Sequence, residues 1–310
     1  MDKQVLAFYY DWYSNLEVSG KWGHWDECHY ATRDPDKVDE KGYRDLGAAH
    51  NPQFGPYDSA DPKIIEAHIG MAEDIGLDAF AATWWGQRDR RFEGLLERAG
   101  DSKVEIALYW ETITDGTVQG AIDDIMWILD NYADKPGYYK VDGRPVVFVY
   151  RRTFAQVRRW NEWQEILKAV REKKDALFIA DSSALENWQV FDGYHTTTSV
   201  LQVLMNDDVQ LFHQLMRQCC RQLGKIYAAP VIPGFDNARV HEEGRLVTSR
   251  KDGRLYQEQW EAVLACEPDW VMINSFNEWH EGSEIEPSLE QGDAYLRESK
   301  EWIGRFKKNG

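Results

Sequence analysis

Eight short apolar runs, each followed by a longer segment with helical periodicity, constrain the fold of this chain more than any other feature. Short apolar runs are typical of buried strands, and apolar residues at every third or fourth position indicate amphipathic helices. The predicted strands are Val5 to Tyr10, Asp78 to Thr83, Val104 to Tyr109, Pro145 to Tyr150, Leu177 to Ala180, Gly193 to Thr197, Ile226 to Ile232 and Trp270 to Phe276.

The segments between these strands carry helix boundary signals. Asp61 can cap a helix, Pro62 suits its first position, and Gly76 can end it. Similar amphipathic stretches predict helices at 90–99, 118–133, 155–172, 208–223, 255–266 and 292–307. The connection at about 182–192 is too short for a full helix.

Strands that alternate with helices predict a parallel sheet, and eight such units predict one closed (β/α)8 TIM barrel. The alternative is an open doubly wound sheet, which is disfavoured because "FYYDWYSN" follows the first strand in place of a glycine-rich phosphate turn. No linker divides the chain, so we predict a single domain over residues 1–310. Long loops follow strand 1 (Ser14 to Ala60) and strand 7 (Asp236 to Gly253), at the face where barrels hold their active sites.

Charge and hydropathy exclude several classes of partner. Lys and Arg number 36 against 53 Asp and Glu, and the net charge of -17 disfavours nucleic acid and anionic membranes. No apolar run approaches the roughly 18 residues of a membrane span. A strand is predicted from Val5, which leaves no room for a secretory signal, so we expect a cytoplasmic protein, or an exported one whose signal has been removed. The oligomeric state stays open.

The residues at the predicted strand ends suit a neutral, polyhydroxylated ligand. They combine acids, amides and aromatic rings, without a plausible Ser-His-Asp set, and the chain holds 14 Trp and 15 Tyr. Aromatic rings at a barrel mouth are typical platforms for sugars. The candidates at strand ends are Tyr10, Trp85, Tyr109, Glu111, His195, Phe235, Asn277, Glu278 and Glu281, and the loop "KWGHW" adds His24 and Trp25.

Glu278 and Glu281 follow strand 8 in "VMINSFNEWHEGSEIEPS" and are candidates for an acid and base pair. Two nearby carboxyl groups push their pKa values apart, which suits glycoside hydrolysis. A solvated acidic turn is the plainer alternative, and we expect Glu284 and Glu286 to be acids of that solvated kind. A metal site at this motif is disfavoured because the H-E-x-x-H spacing is absent, so we expect neither metal nor cofactor.

The same segments resemble glycoside hydrolase family 99, the endo-α-1,2-mannosidases and endo-mannanases. The resemblance runs in order through "FYYDWYSN", "KWGHW", "YDSADPKIIEAHIGMAEDIGLDAFAATWWG", "ALYWE", "RPVVFVY", "FDGYHT", "IPGFDNARV" and "INSFNEWHEG". It implies a retaining hydrolase in which Glu278 is the base for the sugar's 2-hydroxyl, giving a 1,2-anhydro sugar, and Glu281 is the acid. Positions around the sugar subsites would be Tyr10, His24, Trp25, Trp85, Glu111, His195 and Arg239.

Two departures from the family pattern bear on the substrate. Asp11 stands where the family has proline, and Phe235 where it has tyrosine. A lost phenol hydrogen bond can cost on the order of 1 to 3 kcal/mol. The alternatives are therefore a related retaining glycosidase for another α-glycoside, or a carbohydrate-binding barrel without activity.

Overall fold

A closed parallel barrel is the centre of the fold in the computed structural model, which describes residues 2–182, 185–197 and 208–308. Each strand pairs in parallel with the next, and β8 closes the ring on β1. The predicted (β/α)8 barrel is therefore confirmed. Its strands are β1 (Gln4–Tyr9), β2 (Ala79–Trp84), β3 (Glu105–Trp110), β4 (Arg144–Val149), β5 (Leu177–Asp181), β6 (Gly193–His195), β7 (Ile226–Val231) and β8 (Trp270–Ile273).

The largest difference from the predicted strands is at the end of β8, which stops at Ile273 rather than Phe276. Beyond this point the backbone bonds to the following loop as well as to the neighbouring strands, since the Phe276 N–H still donates to the carbonyl of Phe8 in β1 at 2.9 Å. The Ser275 N–H donates to the carbonyl of Ser283 at 2.8 Å, and the Ile285 N–H donates to the carbonyl of Ser275 at 3.0 Å. The segment that carries the candidate acids is thus a folded loop on top of the barrel.

Helices cover the outside of the barrel, and the boundary signals of α1 are confirmed. The Asp61 carboxylate accepts from the N–H of Lys63, Pro62 begins the helix, and Gly76 ends it with φ 80°. The short fifth connection is also confirmed, since the helix among its described residues has four residues. The helices are α1 (Pro62–Ile75), α2 (Arg90–Ala99), α3 (Val118–Asn131), α4 (Arg151–Gln156), α5 (Trp160–Arg171), α6 (Leu185–Trp188), α7 (Val209–Leu223), α8 (Arg254–Cys266) and α9 (Ala294–Lys308).

The single helix predicted at 155–172 was wrong, because the chain forms two helices, α4 and α5, separated at Val157–Arg159. The second helix begins where the Glu162 carboxylate accepts from the N–H of Arg159 at 3.1 Å. The indole of Trp163 donates back to the carbonyl of Val157 at 2.9 Å. These contacts replace the helical bonds that a continuous helix would make.

Alternation along the strands divides the core into two layers. In β1, Leu6 and Phe8 pack inside the barrel with residues such as Met272. Val5, Ala7 and Tyr9 instead pack against the surrounding helices. The barrel is therefore filled by side chains, so a ligand is confined to its mouth.

The two long loops predicted after β1 and β7 lie over the same end of the barrel and contact each other. The His29 N–H donates to the carbonyl of Val240 at 2.9 Å, and the Tyr30 hydroxyl donates to the carbonyl of Ala238 at 2.6 Å. The β7 loop holds a short hairpin, in which Phe235–Asp236 pairs with Val247–Thr248. Among the described helices, none has the length and apolar character to cross a membrane.

Candidate active site

Glu278 and Glu281 lie in the loop that follows β8, at the carboxyl ends of the barrel strands. Glu278 is buried, its N–H donates to the Ser275 hydroxyl at 2.7 Å, and its carboxylate accepts from the N–H of His280 at 3.1 Å. Glu281 is partly accessible, and its carbonyl accepts from the N–H of Asp236 at 2.6 Å. Glu278 is therefore held within its own loop, whereas the backbone of Glu281 is held by the loop after β7.

Burial and mutual repulsion change the proton affinity of both groups. Burial raises the pKa of Glu278 well above its ordinary value, and the nearby Glu281 raises it further. Burial also raises the pKa of Glu281, to about 7, although the Arg151 guanidinium opposes this shift. The pair can therefore hold a proton near neutral pH, as proton transfer in glycoside hydrolysis requires.

Asn277 joins the end of β1 to the loop of the candidate acids. Its amide accepts from the N–H of Tyr10 at 2.7 Å and donates to the carbonyl of Tyr10 at 2.9 Å. The Tyr13 hydroxyl donates to the carbonyl of Asn277 at 3.2 Å and accepts from the N–H of Trp279 at 3.0 Å. Asn277 is fully buried, and its amide positions the loop of the candidate acids against the end of β1.

The expectation of a solvated Glu286 was wrong, because this carboxylate is buried beneath the candidate acids. It accepts from His68 Nε2 at 3.0 Å, from the Tyr57 hydroxyl at 2.8 Å and from the Trp279 indole at 3.1 Å. His68 Nδ1 in turn lies 3.0 Å from the Tyr9 hydroxyl. Two of these three partners, Tyr57 and His68, come from more than 200 residues away, which a local sequence pattern cannot reveal.

Glu284 is buried as well, against the same expectation. Its carboxylate lies 2.8 Å from His50 Nδ1 and 2.6 Å from the Arg250 guanidinium. The same guanidinium donates to the carbonyl of Gly282 at 3.0 Å. The acids at 284 and 286 thus anchor the loop that carries the acids at 278 and 281.

Aromatic rings line the accessible part of the mouth. Trp84 is fully buried and packs in the core, whereas Trp85 is 38% exposed. Trp12 lies between Trp85 and His24. Its ring centroid is 6.0 Å from that of Trp85 and 4.8 Å from that of His24, on which it stacks. Trp85, Trp12 and His24 therefore form a continuous surface of the kind that sugar rings contact.

Three other predicted binding residues are enclosed by protein. Trp25 is fully buried, stacks on Tyr13 at 4.2 Å and donates its indole N–H to the carbonyl of Tyr57 at 2.7 Å. Tyr109 and His195 are buried with their rings 5.6 Å apart. Burial lowers the pKa of His195 to about 3, so its imidazole is neutral. Whether any of them contacts a ligand stays a prediction.

Glu111 adds a third carboxyl group to the buried end of the mouth. Burial raises its pKa to about 8, and although the Arg152 guanidinium opposes the shift, Asp11 and Asp181 add to it. Asp11 accepts from the Thr83 hydroxyl at 2.8 Å. Burial raises the pKa of Asp11 well above its ordinary value, and Asp89 adds to this. The mouth therefore concentrates carboxyl groups that resist ionisation.

Replacing Glu111 by Gln is expected to stabilise the fold in a pH-dependent way. Its pKa is about 8 in the folded state against an ordinary 4.5, so below pH 4.5 both states are protonated and the carboxyl carries no penalty. As pH rises from 4.5 to 8, the carboxyl of Glu111 ionises in the unfolded state but stays protonated in the folded state. The free energy of unfolding of the wild type therefore falls by up to about 1.4 kcal/mol per pH unit.

Urea unfolding between pH 4 and pH 8 measures this effect. Glu111→Gln should match the wild type at pH 4 and become progressively more stable above it. The exposed loop carboxyl of Glu243 provides the control, since Glu243→Gln should keep the wild-type pH dependence. A Glu111→Gln gain of equal size at every pH would contradict the assigned shift.

The remaining predicted residues, Phe235 and Arg239, belong to the β7 loop. Phe235 is buried against Ile232. Arg239 is partly exposed and donates to the Asp45 carboxylate at 2.6 Å and to the carbonyl of Leu46 at 3.2 Å. Arg239 thus fastens the β7 loop to the β1 loop at the mouth.

The site also contains residues that reasoning from the sequence missed. Tyr57 and His68 complete the network under Trp279; both lie in the stretch "YDSADPKIIEAHIGMAEDIGLDAFAATWWG", but no pattern in it marked them as site residues. Arg152 lies 5.1 Å from the Trp85 ring and opposes the raised pKa of Glu111. Arg152 is the second residue of α4, which follows β4 closely, so a search for cations beyond strand ends could have found it.

The sequence of the chain is similar to those of known glycoside hydrolases. The profile of Glycosyl hydrolase family 99 matches residues 1–299. "Glycoprotein endo-alpha-1,2-mannosidase" of Mus musculus is 25% identical over 350 residues, which cover 97% of this chain and 74% of the relative. "Glycoprotein endo-alpha-1,2-mannosidase-like protein" of Danio rerio is 24% identical over 347 residues, covering 98% and 78%.

A solved structure shares the whole architecture. The GH99 endo-alpha-mannosidase from Bacteroides thetaiotaomicron superposes with a TM-score of 0.82 at 25% identity, over 98% of each chain. Since the family profile extends over residues 1–299 of 310, the chain belongs to glycoside hydrolase family 99 and is a glycosidase.

Proposed function

We propose that this glycosidase cleaves α-mannosidic bonds of the endo-α-1,2-mannosidase kind with retention, through a 1,2-anhydro sugar. The observation that carries the proposal is the pair Glu278 and Glu281, both with raised pKa, at a mouth lined by aromatic rings. The related proteins named as endo-alpha-1,2-mannosidases support the choice of sugar and linkage. The substrate is an oligosaccharide or glycoside.

In the first step Glu278 takes the proton of the sugar's 2-hydroxyl, and that oxygen attacks C1. The bond from C1 to the leaving oxygen breaks while Glu281 donates its proton to that oxygen. In an α-mannoside the 2-hydroxyl and the leaving group are trans, so backside attack is already aligned. In the second step Glu281 takes a proton from water, the water oxygen attacks C1 as the bond from C1 to the 2-oxygen breaks, and Glu278 returns its proton to the 2-oxygen.

The raised pKa values of the two groups bear on these roles. Burial raises the pKa of both carboxyl groups, and the Arg151 guanidinium opposes the rise at Glu281. Abstracting the proton of a sugar hydroxyl requires an ionised base, and protonating a departing oxygen requires a protonated acid. The proposed reactive form therefore has Glu278 ionised and Glu281 protonated.

Substrates without a free 2-hydroxyl test this mechanism. A 2-deoxy α-mannoside analogue should lose on the order of 10³-fold or more in kcat/KM, because the internal nucleophile is gone. An analogue deoxygenated at C3 serves as the matched control and should lose far less. Turnover of the 2-deoxy substrate with a sugar covalently attached to the protein, seen by mass spectrometry, would overturn the 1,2-anhydro route.

The buried Asp11 and Phe235 favour a second candidate, a retaining enzyme for another α-glycoside. Asp11 places an extra carboxyl group near the mouth, and Phe235 lacks a hydroxyl that could bind the reacting sugar. A panel of α-glycosides distinguishes the candidates, since the proposed function requires the α-mannosides to have the highest kcat/KM.

A further inference from the structure

Half of the eight histidines of this chain gather around one carboxylate, that of Glu27 in the β1 loop. His24 Nδ1 lies 3.0 Å from one carboxylate oxygen of Glu27, and His29 Nε2 lies 3.3 Å from the other. The rings of His24 and His280 are 5.3 Å apart, and His241 contacts His29 at 4.5 Å. Glycoside hydrolysis as proposed above assigns no task to Glu27, His29 or His241.

Three of these side chains have the spacing of a metal-ligand set. His24, Glu27 and His280 each offer one nitrogen or oxygen atom, and the three atoms lie within 4.8 Å of one another. Two bonds of about 2.0 to 2.2 Å from one ion, at tetrahedral or octahedral angles, separate their ligand atoms by roughly 3.0 to 3.5 Å. The 3.0 Å between His24 Nδ1 and Glu27 already meets this requirement, and the ligand atom of His280 lies within 4.8 Å of both.

A hydrogen bond to a backbone carbonyl orients the ring of His280, the third side chain of this set. His280 Nε2 lies 2.5 Å from the carbonyl oxygen of His24, so this nitrogen carries the hydrogen and donates it. Metal-binding histidines commonly donate one ring N–H to a carbonyl in this way, which orients the ring and leaves the other nitrogen to the metal. The same bond ties His280 to the segment that supplies His24 and Glu27.

We propose that His24, Glu27 and His280 form a binding site for a divalent transition-metal ion of the Zn²⁺ class at the mouth of the barrel. Two imidazoles and one carboxylate suit Zn²⁺, whereas Mg²⁺ and Ca²⁺ prefer oxygen ligands. His24, Glu27 and His280 are all partly accessible, so an ion can reach them from solvent. A bound ion has no part in the proposed chemistry, but lies beside the Trp12 ring that stacks on His24.

Isothermal titration of the chelator-treated full chain with ZnCl₂ tests the proposal without any glycan. We expect one ion per chain, and each of His24→Ala and Glu27→Gln should weaken the affinity at least about tenfold. MgCl₂ should give no binding that depends on these two residues. Thermal melting of each of these two variants without metal verifies that it is folded, and added Zn²⁺ should raise the melting temperature of the wild type more than that of either variant.

Two matched control variants test whether the loss of affinity is specific to the proposed ligands. His241→Ala removes a histidine of the same cluster, and Cys28→Ser removes the thiol next to Glu27, so both should keep the wild-type affinity within about twofold, well inside the effect expected for a true ligand. The absence of stoichiometric zinc binding in the wild type would overturn the proposal. Zinc affinity that survives in folded His24→Ala and Glu27→Gln, or that disappears in Cys28→Ser, would overturn it equally.

Discussion

Glu278→Gln is expected to lower kcat/KM by roughly 10² to 10⁴-fold with every α-mannoside, whatever its leaving group. The base is needed for the attack of the 2-hydroxyl, and a better leaving group does not replace it. Glutamine keeps the shape of the side chain, and its amide oxygen can still accept from the His280 N–H that bonds to Glu278. Because the pKa of Glu278 is raised well above its ordinary value, the neutral amide should not destabilise the fold.

Glu281→Gln should behave differently, and the contrast identifies the two roles. On a glycan substrate it should lose a similar factor, roughly 10² to 10⁴-fold, since the departing alkoxide needs a proton. On a dinitrophenyl mannoside it should keep most of its activity, because that leaving group departs as a stable anion. Initial rates with both substrates measure the effect, with Glu243→Gln as an exposed control from the β7 loop.

Two outcomes would contradict this assignment. If Glu278→Gln kept its dinitrophenyl activity while Glu281→Gln lost it, the acid and base would be exchanged. If either variant hydrolysed the glycan at nearly the wild-type rate, that residue would have no catalytic role.

Glu286→Ala is expected to destabilise the fold by roughly 3 to 5 kcal/mol. The carboxylate accepts from His68, Tyr57 and Trp279, and all three donors are buried. Truncation leaves them without an acceptor and opens a void under the loop, and each unsatisfied buried group costs about 1 to 3 kcal/mol. Urea unfolding at pH 7 measures the loss.

The same change should reduce hydrolysis in the fraction that stays folded. Trp279 follows Glu278 directly, and the Tyr57 hydroxyl lies 3.3 Å from the Asn277 amide. Loss of the carboxylate therefore loosens both neighbours of Glu278, which should lower kcat more than it raises KM. Glu286→Gln retains the volume and one acceptor, so it should recover part of the stability. A loss of under about 1 kcal/mol in Glu286→Ala would show that the network contributes little.

The sequence was sufficient to predict the barrel because each of its units carries a local signal. Apolar runs of strand length mark the eight strands, and Asp61, Pro62 and Gly76 mark both ends of α1. The break between α4 and α5 was not predictable in this way, because the apolar positions of the two helices follow one another without a Gly or Pro.

The candidate site was predictable only where strand position determines it. Glu278 and Glu281 follow β8 and reach the mouth as expected. Glu286 looked like a solvated acid because its partners, His68 and Tyr57, are more than 200 residues away. Polar residues in a loop give no sign of burial when the groups that satisfy them come from distant segments. For the same reason Trp25 looked accessible, although Tyr13 and Tyr57 enclose it.

The stereochemistry of the first product tests the central proposal most directly. An oligosaccharide with an internal α-1,2-mannosidic bond is digested and followed by proton NMR before the anomers equilibrate. Two displacements at C1, first by the 2-oxygen and then by water, predict that the α-anomer of the released sugar forms first. Initial release of the β-anomer, or failure to cleave this bond while another α-glycoside is hydrolysed, would contradict the proposal.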